Sequence, residues 1–339
     1  MAGPHPSVAA TRVAVRRSLA DVPAGSTVVV ACSGGADSLS LVAATVHESR
    51  AGGWRVVGAT VDHGLQEGSD AQAARVVEQM AAIGVAETLT ARVSVGLDAG
   101  VGPEAAARRA RYAVLDQVAG HTGASAVLLG HTRDDQAETV LLGLARGSGA
   151  RSLAGMRRAF DHYRRPFLDL SRDDTVTACQ VLGLDPWDDP HNSDPAYARV
   201  RVRRSVLPVL EDHLGPGIAA ALARTADQLR ADADLLDDLA DERYAALLAD
   251  GALPVPDLAA LPPALRTRLL RRLALDAGSP ATELTHDHVR ALDTLVTAWR
   301  GQKWIDLPGS LRGVRVGGLI RVRPSPSSNA TGGTGMTSS

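Results

Sequence analysis

A short polar loop at residues 33–38 carries the residue types in this chain that are best suited to binding an anion. Its sequence, Ser-Gly-Gly-Ala-Asp-Ser, follows a buried-looking apolar segment and precedes a helix-like run. Gly34 and Gly35 let the backbone approach an anion closely, and the unpaired N–H groups at the start of the helix attract negative charge. Ser33 and Ser38 add hydroxyl donors. The loop therefore predicts a phosphate-binding site.

Asp37 is the unusual member of this loop, because a carboxylate repels phosphate. It fits such a site if it holds Mg²⁺, which proteins bind through one or two carboxylates together with substrate phosphates. The simpler interpretation is that Asp37 caps the helix that begins there. The complete Ser-Gly-Gly-x-Asp-Ser string after a buried strand favours a magnesium–phosphate site.

A second dense cluster lies at residues 131–139, His-Thr-Arg-Asp-Asp-Gln-Ala-Glu-Thr. On a helix His131, Asp135 and Glu138 share one face, so their carboxylates could bind a cation or a cationic substrate. The alternative is structural, since Thr132 and Asp135 have the spacing of a capping box and acids favour helix N-termini. The capping alternative does not explain Glu138 and His131 together with Asp135.

A third group of polar residues lies on the helix predicted from Pro103, where Arg108 and Arg111 share a face. They could form a solvated face paired with Glu104. They could also place a guanidinium against phosphate or a carboxylate. The residues alone leave both interpretations open.

The composition excludes several classes of protein. The chain has 339 residues, a formal net charge of −2 and two cysteines, which fit a reducing cytoplasm and cannot form a disulfide framework or a zinc site. It contains no apolar run of 18 residues, so we expect no membrane span. Lys303 is the only lysine, and it lies outside any Gly-Lys-Ser/Thr motif, which excludes a Walker-type nucleotide site.

Four predicted strands must position these clusters, and predicted helices alternate with them. The predicted strands are 28–31, 54–61, 87–95 and 126–129, and the helices are 39–49, 70–83, 103–119 and 133–144. This alternation predicts an α/β fold with a doubly wound parallel sheet, in which ligands bind at the carboxyl ends of the strands. The loop 33–38, the pair Asp62–His63 and His131 all follow strands, so we expect them at one edge.

The rest of the chain has a different pattern. We predict helices at 171–183, 218–249, 262–276 and 281–299, and short strands within 303–323. The predicted domains are an N-terminal helix (1–24), an α/β domain (25–215), a smaller, mainly helical domain with a short β segment (216–323) and a disordered tail (324–339).

Taken together, these motifs resemble a known family. The string at 33–38 is similar to the loop of the PP-loop, or N-type, ATP pyrophosphatases, which split ATP between its α- and β-phosphates. With Val-Asp-His-Gly-Leu at 61–65, the cluster 131–139 and the run 189–203, the resemblance narrows to the tRNA(Ile)-lysidine synthetases. It is strong over 25–215 and loose over 216–323.

The resemblance implies a specific reaction. The family adenylates C2 of the wobble cytidine in a CAU-anticodon tRNA(Ile), and free L-lysine then displaces AMP to give lysidine. The implied cofactors are ATP and Mg²⁺, and the implied access step is flipping of the cytidine. No membrane is implied, the location is cytoplasmic, and the oligomeric state, monomer or homodimer, stays open.

Roles carried over from the family fall on the three clusters. The implied ATP contacts are Ser33, Gly34, Gly35, Ala36, Asp37 and Ser38, with Asp37 on Mg²⁺. Asp135 and Glu138 would face the lysine ammonium, Arg111 would face phosphate or the lysine carboxylate, and His131 would line the nucleotide site. Arginines at 199–204 and near 157–165 would lie along tRNA phosphates.

Three departures and several alternatives accompany this resemblance. Gln66 stands where many members have Arg, His191 stands where Ser is common, and the further C-terminal domain of long members is not seen. The alternatives are another PP-loop tRNA-modifying or amidating adenylase, or a non-catalytic ATP-sensing module. Thiolation is disfavoured because Cys32 and Cys179 have no neighbouring cysteine.

Overall fold

The computed structural model describes residues 3–62, 69–92, 103–147 and 149–326 of the chain. Several predictions fall outside these residues: the motif from His63 onward, the end of the strand predicted at 87–95, the departure at Gln66 and the tail from residue 327. The side chains of Asp62, Glu104 and His191 also lie outside the description. The chain divides into two compact units, Met1–Gln228 and Leu229–Ser339, whereas the predicted boundary is at 215/216.

The first unit contains strands that alternate with helices. Its strands are β1 (Thr27–Ala31), β2 (Arg55–Asp62), β3 (Glu87–Arg92), β4 (Ala124–Leu128), β5 (Ala159–Phe160) and β6 (Tyr163–Arg164). Its helices are α1 (Pro6–Ser18), α2 (Ala36–Gly52), α3 (Ser69–Ile83), α4 (Pro103–Thr122), α5 (Arg133–Ala145), α6 (Ala150–Leu153), α7 (Arg172–Val181), α8 (Ala198–Arg201) and α9 (Leu207–Leu214). A π-helical segment, Val202–Val206, joins α8 to α9, and a 3₁₀ turn spans Pro190–Ser193.

The six strands form one sheet in the order β3-β2-β1-β4-β6-β5. All neighbouring pairs are parallel except β5 and β6, which form a short antiparallel hairpin at the edge. The predicted α/β fold with a largely parallel sheet is therefore confirmed. Strands β5 and β6 were not predicted, because two residues are too few to show an alternating pattern.

Helices cover both faces of this sheet, as a doubly wound fold requires. Val28 and Val30 point to one face, where they pack in a core with Leu39 of α2. Val29 points to the other face and packs with Leu115 of α4. Because successive strand side chains alternate between faces, the continuous valine run of β1 is buried on both sides.

The strand order changes direction next to β1, and this places the predicted site. The chain runs from β1 to β2 and β3 on one side, and then returns to β4 on the other side of β1. Such a switch leaves a crevice at the carboxyl ends of β1 and β4. Residues 33–38 follow β1 and His131 follows β4, so both border this crevice.

The second unit combines helices with a small antiparallel sheet. The division between the units falls within α10 (Ile218–Leu247), which is followed by α11 (Val255–Ala260), α12 (Pro263–Asp276) and α13 (His286–Thr297). The strands are β7 (Ala252–Pro254), β8 (Ile305–Leu307), β9 (Leu311–Val316) and β10 (Leu319–Pro324), in the sheet order β7-β10-β9-β8. Leu269, Leu292 and Ile320 belong to its aliphatic core. No helix among the described residues is long and apolar enough to cross a membrane.

Candidate active site

A cavity of about 750 Å³ opens at the carboxyl edge of the sheet and collects most of the predicted site residues. Its lining includes Ser33, Gly35, Ala36, Asp37, Ser38, Arg111, His131 and Asp135. Three separate stretches of sequence thus meet at one place, as the order of the strands predicts. A cavity of this size accommodates a nucleotide-sized ligand.

The loop after β1 is held in shape by its own side chains and by a close neighbour. Gly34 has φ +87°, and a Cβ there would lie 2.6 Å from the Val76 side chain of α3. The Ser38 hydroxyl accepts the Ser33 N–H at 3.2 Å and donates to the Gly35 carbonyl at 2.9 Å. Helix α2 begins at Ala36, so its first N–H groups lie at the cavity, as an anion site requires.

Asp37 lies in the first turn of α2 and lines the cavity. Its Oδ1 accepts a hydrogen bond from the Thr175 hydroxyl of α7, and its Oδ2 lies 3.6 Å from Nε of Arg172. Burial raises the pKa of Asp37, while Arg172 and Thr175 act in the opposite direction. The carboxylate borders both the cavity and the phosphate loop, so it fits a Mg²⁺ ion held by one carboxylate and substrate phosphates.

Asp135 uses its two oxygens for different purposes. Oδ2 accepts the Thr132 N–H at 2.8 Å and the Thr132 hydroxyl at 3.0 Å, which completes the capping box of α5. Oδ1 faces the guanidinium groups of Arg172 at 3.0 Å and Arg203 at 3.4 Å. Burial acts to raise the pKa of Asp135, but the positive charge of Arg172, with the Thr132 N–H hydrogen bond and Arg203, outweighs it and lowers this pKa.

Glu138 lies behind the cavity wall. Its side chain is 0% exposed and is absent from the cavity lining among the described residues. It accepts from Arg203 Nε at 2.6 Å and Nη2 at 3.2 Å, and Arg172 and Arg199 lie 3.7 Å away. Arg172 and Arg203 line the cavity and contact Glu138, which does not, so its contact with lysine stays a prediction.

His131 precedes α5, which begins at Arg133, so it does not share a helix face with Asp135 as predicted. It lies instead in the loop between β4 and α5 and lines the cavity from there. Its Nδ1 accepts a hydrogen bond from Arg165 Nε at 3.3 Å. Burial lowers the pKa of His131 to about 3; Arg165 also lowers it, while Asp135 acts to raise it.

The two arginines predicted on α4 differ in their surroundings. Arg111 lines the cavity, and burial together with the nearby Arg108 lowers its pKa. Arg108 is exposed, and its guanidinium lies 5.1 Å from the Tyr112 ring centroid. The interpretation as an anion-binding guanidinium is therefore favoured for Arg111, and a surface position is found for Arg108.

Comparison with known proteins shows the family to which the chain belongs. Residues 10–210 match the family model described as "PP-loop domain", and residues 253–318 match that of the "TilS substrate binding domain". The tRNA(Ile)-lysidine synthase of Thermobifida fusca is 57% identical over 323 residues, covering 95% of this chain and 99% of the relative. The chain belongs to the tRNA(Ile)-lysidine synthase family.

Other relatives agree with this membership, and one solved structure shares the fold. The tRNA(Ile)-lysidine synthases of Streptomyces coelicolor and Salinispora tropica are 50% and 52% identical, and they cover 95% and 94% of this chain and 99% and 97% of their own lengths. The U34-tRNA thiolase NcsA from Methanococcus maripaludis, solved with its [4Fe-4S] cluster, shares 20% identity with a TM-score of 0.55. It covers 66% of this chain and 79% of its own, and it supports the fold.

Within this lysidine synthase framework, the site also contains residues that the motifs did not predict. Arg172 reaches Asp37, Asp135 and Glu138, and Thr175 on the same helix holds Asp37. Arg203 was expected along tRNA phosphates, yet it lines the cavity and binds Glu138. The sequence marked Arg172 only as a residue at the start of a predicted helix. Its partners lie more than 30 positions away in the chain, so no local sequence pattern indicates these contacts.

Some of the arginines near 157–165 that were predicted to bind RNA are buried or form ion pairs inside the protein. Arg165 is 5% exposed and is therefore not available to RNA phosphates, which corrects that prediction. Arg158 forms ion pairs with Asp169 and Asp227, both at 2.7 Å. Arg201 and Arg204 are exposed and remain suited to RNA.

Proposed function

We propose that this chain is a tRNA(Ile)-lysidine synthase that joins L-lysine to C2 of the wobble cytidine of a CAU-anticodon tRNA(Ile). The observation that carries the proposal is a single cavity lined by the phosphate loop, Asp37 and Asp135, in a chain 57% identical to such a synthase. The cytidine oxygen attacks the α-phosphorus of ATP and pyrophosphate leaves. The lysine amine then attacks C2, and the oxygen departs with AMP.

Residues 33–38 bind the ATP phosphates in this proposal. Their backbone N–H groups and the hydroxyls of Ser33 and Ser38 donate hydrogen bonds, while the N-terminus of α2 favours the negative charge. Asp37 would hold Mg²⁺, which neutralises phosphate charge when bound. Asp37 is held in place by Thr175, so the carboxylate does not have to be ordered when the nucleotide arrives.

The acidic side of the cavity receives the amine of lysine. Asp135 is buried with a lowered pKa, so it stays ionised and suits an ammonium group. Arg172 now lies 3.0 Å from Asp135, so the incoming ammonium must share or replace this contact. Arg111 is placed to bind a phosphate or the lysine carboxylate.

The domain roles follow from the same proposal. Residues 25–215 form the adenylation domain, and residues 216–323 contribute to tRNA binding. The reaction needs cytoplasmic ATP, lysine and tRNA, so we place the protein in the cytoplasm. A sulfur-transfer role is not supported, because both cysteines, Cys32 and Cys179, are buried.

A pyrophosphate-release assay with purified CAU-anticodon tRNA(Ile) transcript tests the proposal. We expect release to require ATP and this tRNA, and radioactive lysine to enter the tRNA with release of AMP. A methionine tRNA with the same anticodon is the matched control and should give little of either product. Pyrophosphate release without tRNA, or lysine-independent AMP release, would contradict the proposed function.

A further inference from the structure

Arg165 is a buried arginine whose position the sequence did not explain. It follows β6, which pairs in parallel with β4 in the register Leu128↔Arg164. This pairing carries Arg165 to the same sheet edge as His131, which follows β4. Arg165 is 5% exposed, and among the described residues no carboxylate lies within ion-pair distance of it.

Every nitrogen of this guanidinium donates a hydrogen bond, and one of the three acceptors, His131, lines the cavity. Nη1 donates to the Arg157 carbonyl at 2.6 Å, Nη2 to the Tyr112 hydroxyl at 3.0 Å and Nε to His131 Nδ1 at 3.3 Å. The Phe160 ring lies beneath the guanidinium, 4.7 Å from Cζ. A planar group with three partners and a stacked ring has little freedom to rotate.

The contact with His131 has a chemical consequence for the imidazole. An arginine cannot accept a proton, so its Nε–H can only donate, and Nδ1 of His131 must be the acceptor. In a neutral ring the proton then lies on Nε2. The ring lines the cavity while its Nδ1 is turned to Arg165, so Nε2 is the nitrogen left for a ligand.

We propose that Arg165 is a positioning residue that fixes His131 as the Nε2–H tautomer, so that the ring offers a neutral hydrogen-bond donor to a phosphate oxygen. The opposite tautomer would turn a lone pair toward the phosphate and repel it. The identity of the acceptor rests on the proposed function, whereas the tautomer does not. The low pKa of His131 agrees with a neutral ring at physiological pH.

The tautomer is measured directly by NMR on the full chain labelled with ¹⁵N-histidine. The chain has ten histidines, so the His131 signals are assigned by their loss in His131→Gln. At pH 7 we expect Nδ1 to have the shift of an unprotonated nitrogen and Nε2 that of a protonated one. In Arg165→Met both shifts should move toward the average of two exchanging tautomers.

Two variants serve as controls for this measurement. Tyr112→Phe removes one hydrogen-bond partner of Arg165 but leaves its Nε free to bind His131, so the tautomer should not change. Arg266 is a buried arginine of the second unit that binds Asp293. Arg266→Met therefore measures the loss of stability caused by removing a buried guanidinium from the other unit. It should alter stability without altering the His131 signals.

Activity gives the second measurement. Arg165→Met should lower kcat for pyrophosphate release by up to about tenfold, because the His131 donor is no longer held in one tautomer and one orientation toward the developing phosphate charge. KM for lysine should stay unchanged, since the acidic side of the cavity is untouched. Restoration of the wild-type shifts in Arg165→Lys, which keeps a cationic donor, would support the positioning role.

A protonated Nδ1 in the wild-type protein would overturn the proposal, even if Arg165→Met fails to fold. Unchanged His131 shifts in Arg165→Met would overturn it as well. These outcomes are separate from the proposed function, because the spectra need neither tRNA nor lysine. If lysidine formation fails while the tautomer is as expected, the proposed function falls and the role of Arg165 toward His131 stands.

Discussion

Single carboxylates in this site serve the fold and the cavity at the same time. One oxygen of Asp135 caps α5 through Thr132, and the other faces Arg172 in the cavity. The cap fixes the side chain before any ligand arrives, so little rotamer entropy is lost on binding. The capping interpretation of Asp135 is therefore confirmed for one oxygen, and its role toward a cationic substrate stays a prediction for the other.

Asp37→Asn is expected to stop the adenylation step while leaving the fold intact. The amide keeps the shape of the side chain but loses the charge needed to hold Mg²⁺ beside the phosphates. We expect the rate of pyrophosphate release to fall by at least about a hundredfold. Asp173→Asn, an exposed neighbour of Arg172, is the control and should retain wild-type release. Comparable rates in Asp37→Asn and wild type would remove Asp37 from the mechanism.

Glu138→Gln should affect both stability and the use of lysine. Three guanidinium groups, those of Arg172, Arg199 and Arg203, lie within 4 Å of this buried carboxylate and would lose its charge. Breaking a buried ion pair in this way costs about 3 kcal/mol, which urea denaturation would detect. We also expect KM for lysine to rise about tenfold while adenylate formation changes much less.

The exposed Glu242→Gln on α10 provides the control for that experiment. If Glu138→Gln slowed adenylation and lysine transfer equally, its predicted role toward lysine would be lost. Glu138 would then be a residue that stabilises the fold and has no role in lysine binding.

His131 makes a pH-dependent contribution to stability whose sign follows from its pKa. Burial lowers this pKa to about 3 in the folded chain, whereas the unfolded chain takes up the proton near pH 6.5. The unfolded state therefore binds more protons between these values, so stability falls as the pH drops through this window. Between pH 7 and 5 the wild type should lose up to about 2 kcal/mol more than His131→Gln.

Urea denaturation at the two pH values measures this difference. His121→Gln, which removes an exposed imidazole at the end of α4, controls for loss of a histidine as such. Equal losses of stability in wild type and His131→Gln would show that the folded chain accepts the proton.

At the scale of elements, the phosphate loop depends on two glycines for different reasons. Gly34 needs its positive φ and the space beside Val76, whereas a Cβ on Gly35 would have no neighbour closer than 3.9 Å. Gly34→Ala should therefore destabilise the first unit by about 1–2 kcal/mol and weaken ATP binding. Gly35→Ala should keep the stability and weaken only ATP binding, because its new Cβ faces the cavity.

Calorimetric titration with a non-hydrolysable ATP analogue, together with thermal unfolding, distinguishes these two variants. Wild-type nucleotide affinity in Gly35→Ala would mean that phosphate does not approach this backbone. Wild-type stability in Gly34→Ala would contradict the steric argument.

The elements also explain what could be predicted from the sequence. The valine run of β1, the glycine loop and the first turn of α2 are adjacent in the chain, so their local pattern predicts the loop and its chemistry. Strand alternation predicts that His131 reaches the same edge. The positions of Arg172 and Arg165 depend on α7 and β6 packing against distant residues, which no local periodicity encodes.

At the scale of the whole molecule, net charge gives no attraction to RNA. A formal charge of −2 provides no general field, so binding must come from local arginine groups whose charge is not neutralised by a carboxylate of the protein. The structure distinguishes the arginines that are available to RNA from those that already pair with carboxylates, which the sequence alone does not do. Arg158 is exposed but paired with two carboxylates, whereas Arg201 is exposed and, within the described part of the chain, its guanidinium donates to the carbonyls of Pro195 and Ala196 and forms no ion pair.

Arg201→Gln is therefore expected to weaken tRNA binding by a few-fold. If its guanidinium contacts one phosphate, the slope of log K against log salt should also fall by about one. Filter binding of the CAU-anticodon tRNA at several salt concentrations measures both quantities. Arg158→Gln is the matched control: its charge is already neutralised by Asp169 and Asp227, so stability should fall while the salt slope stays constant. The reverse result, with the slope sensitive to Arg158 and not to Arg201, would place the RNA on a different face of the first unit.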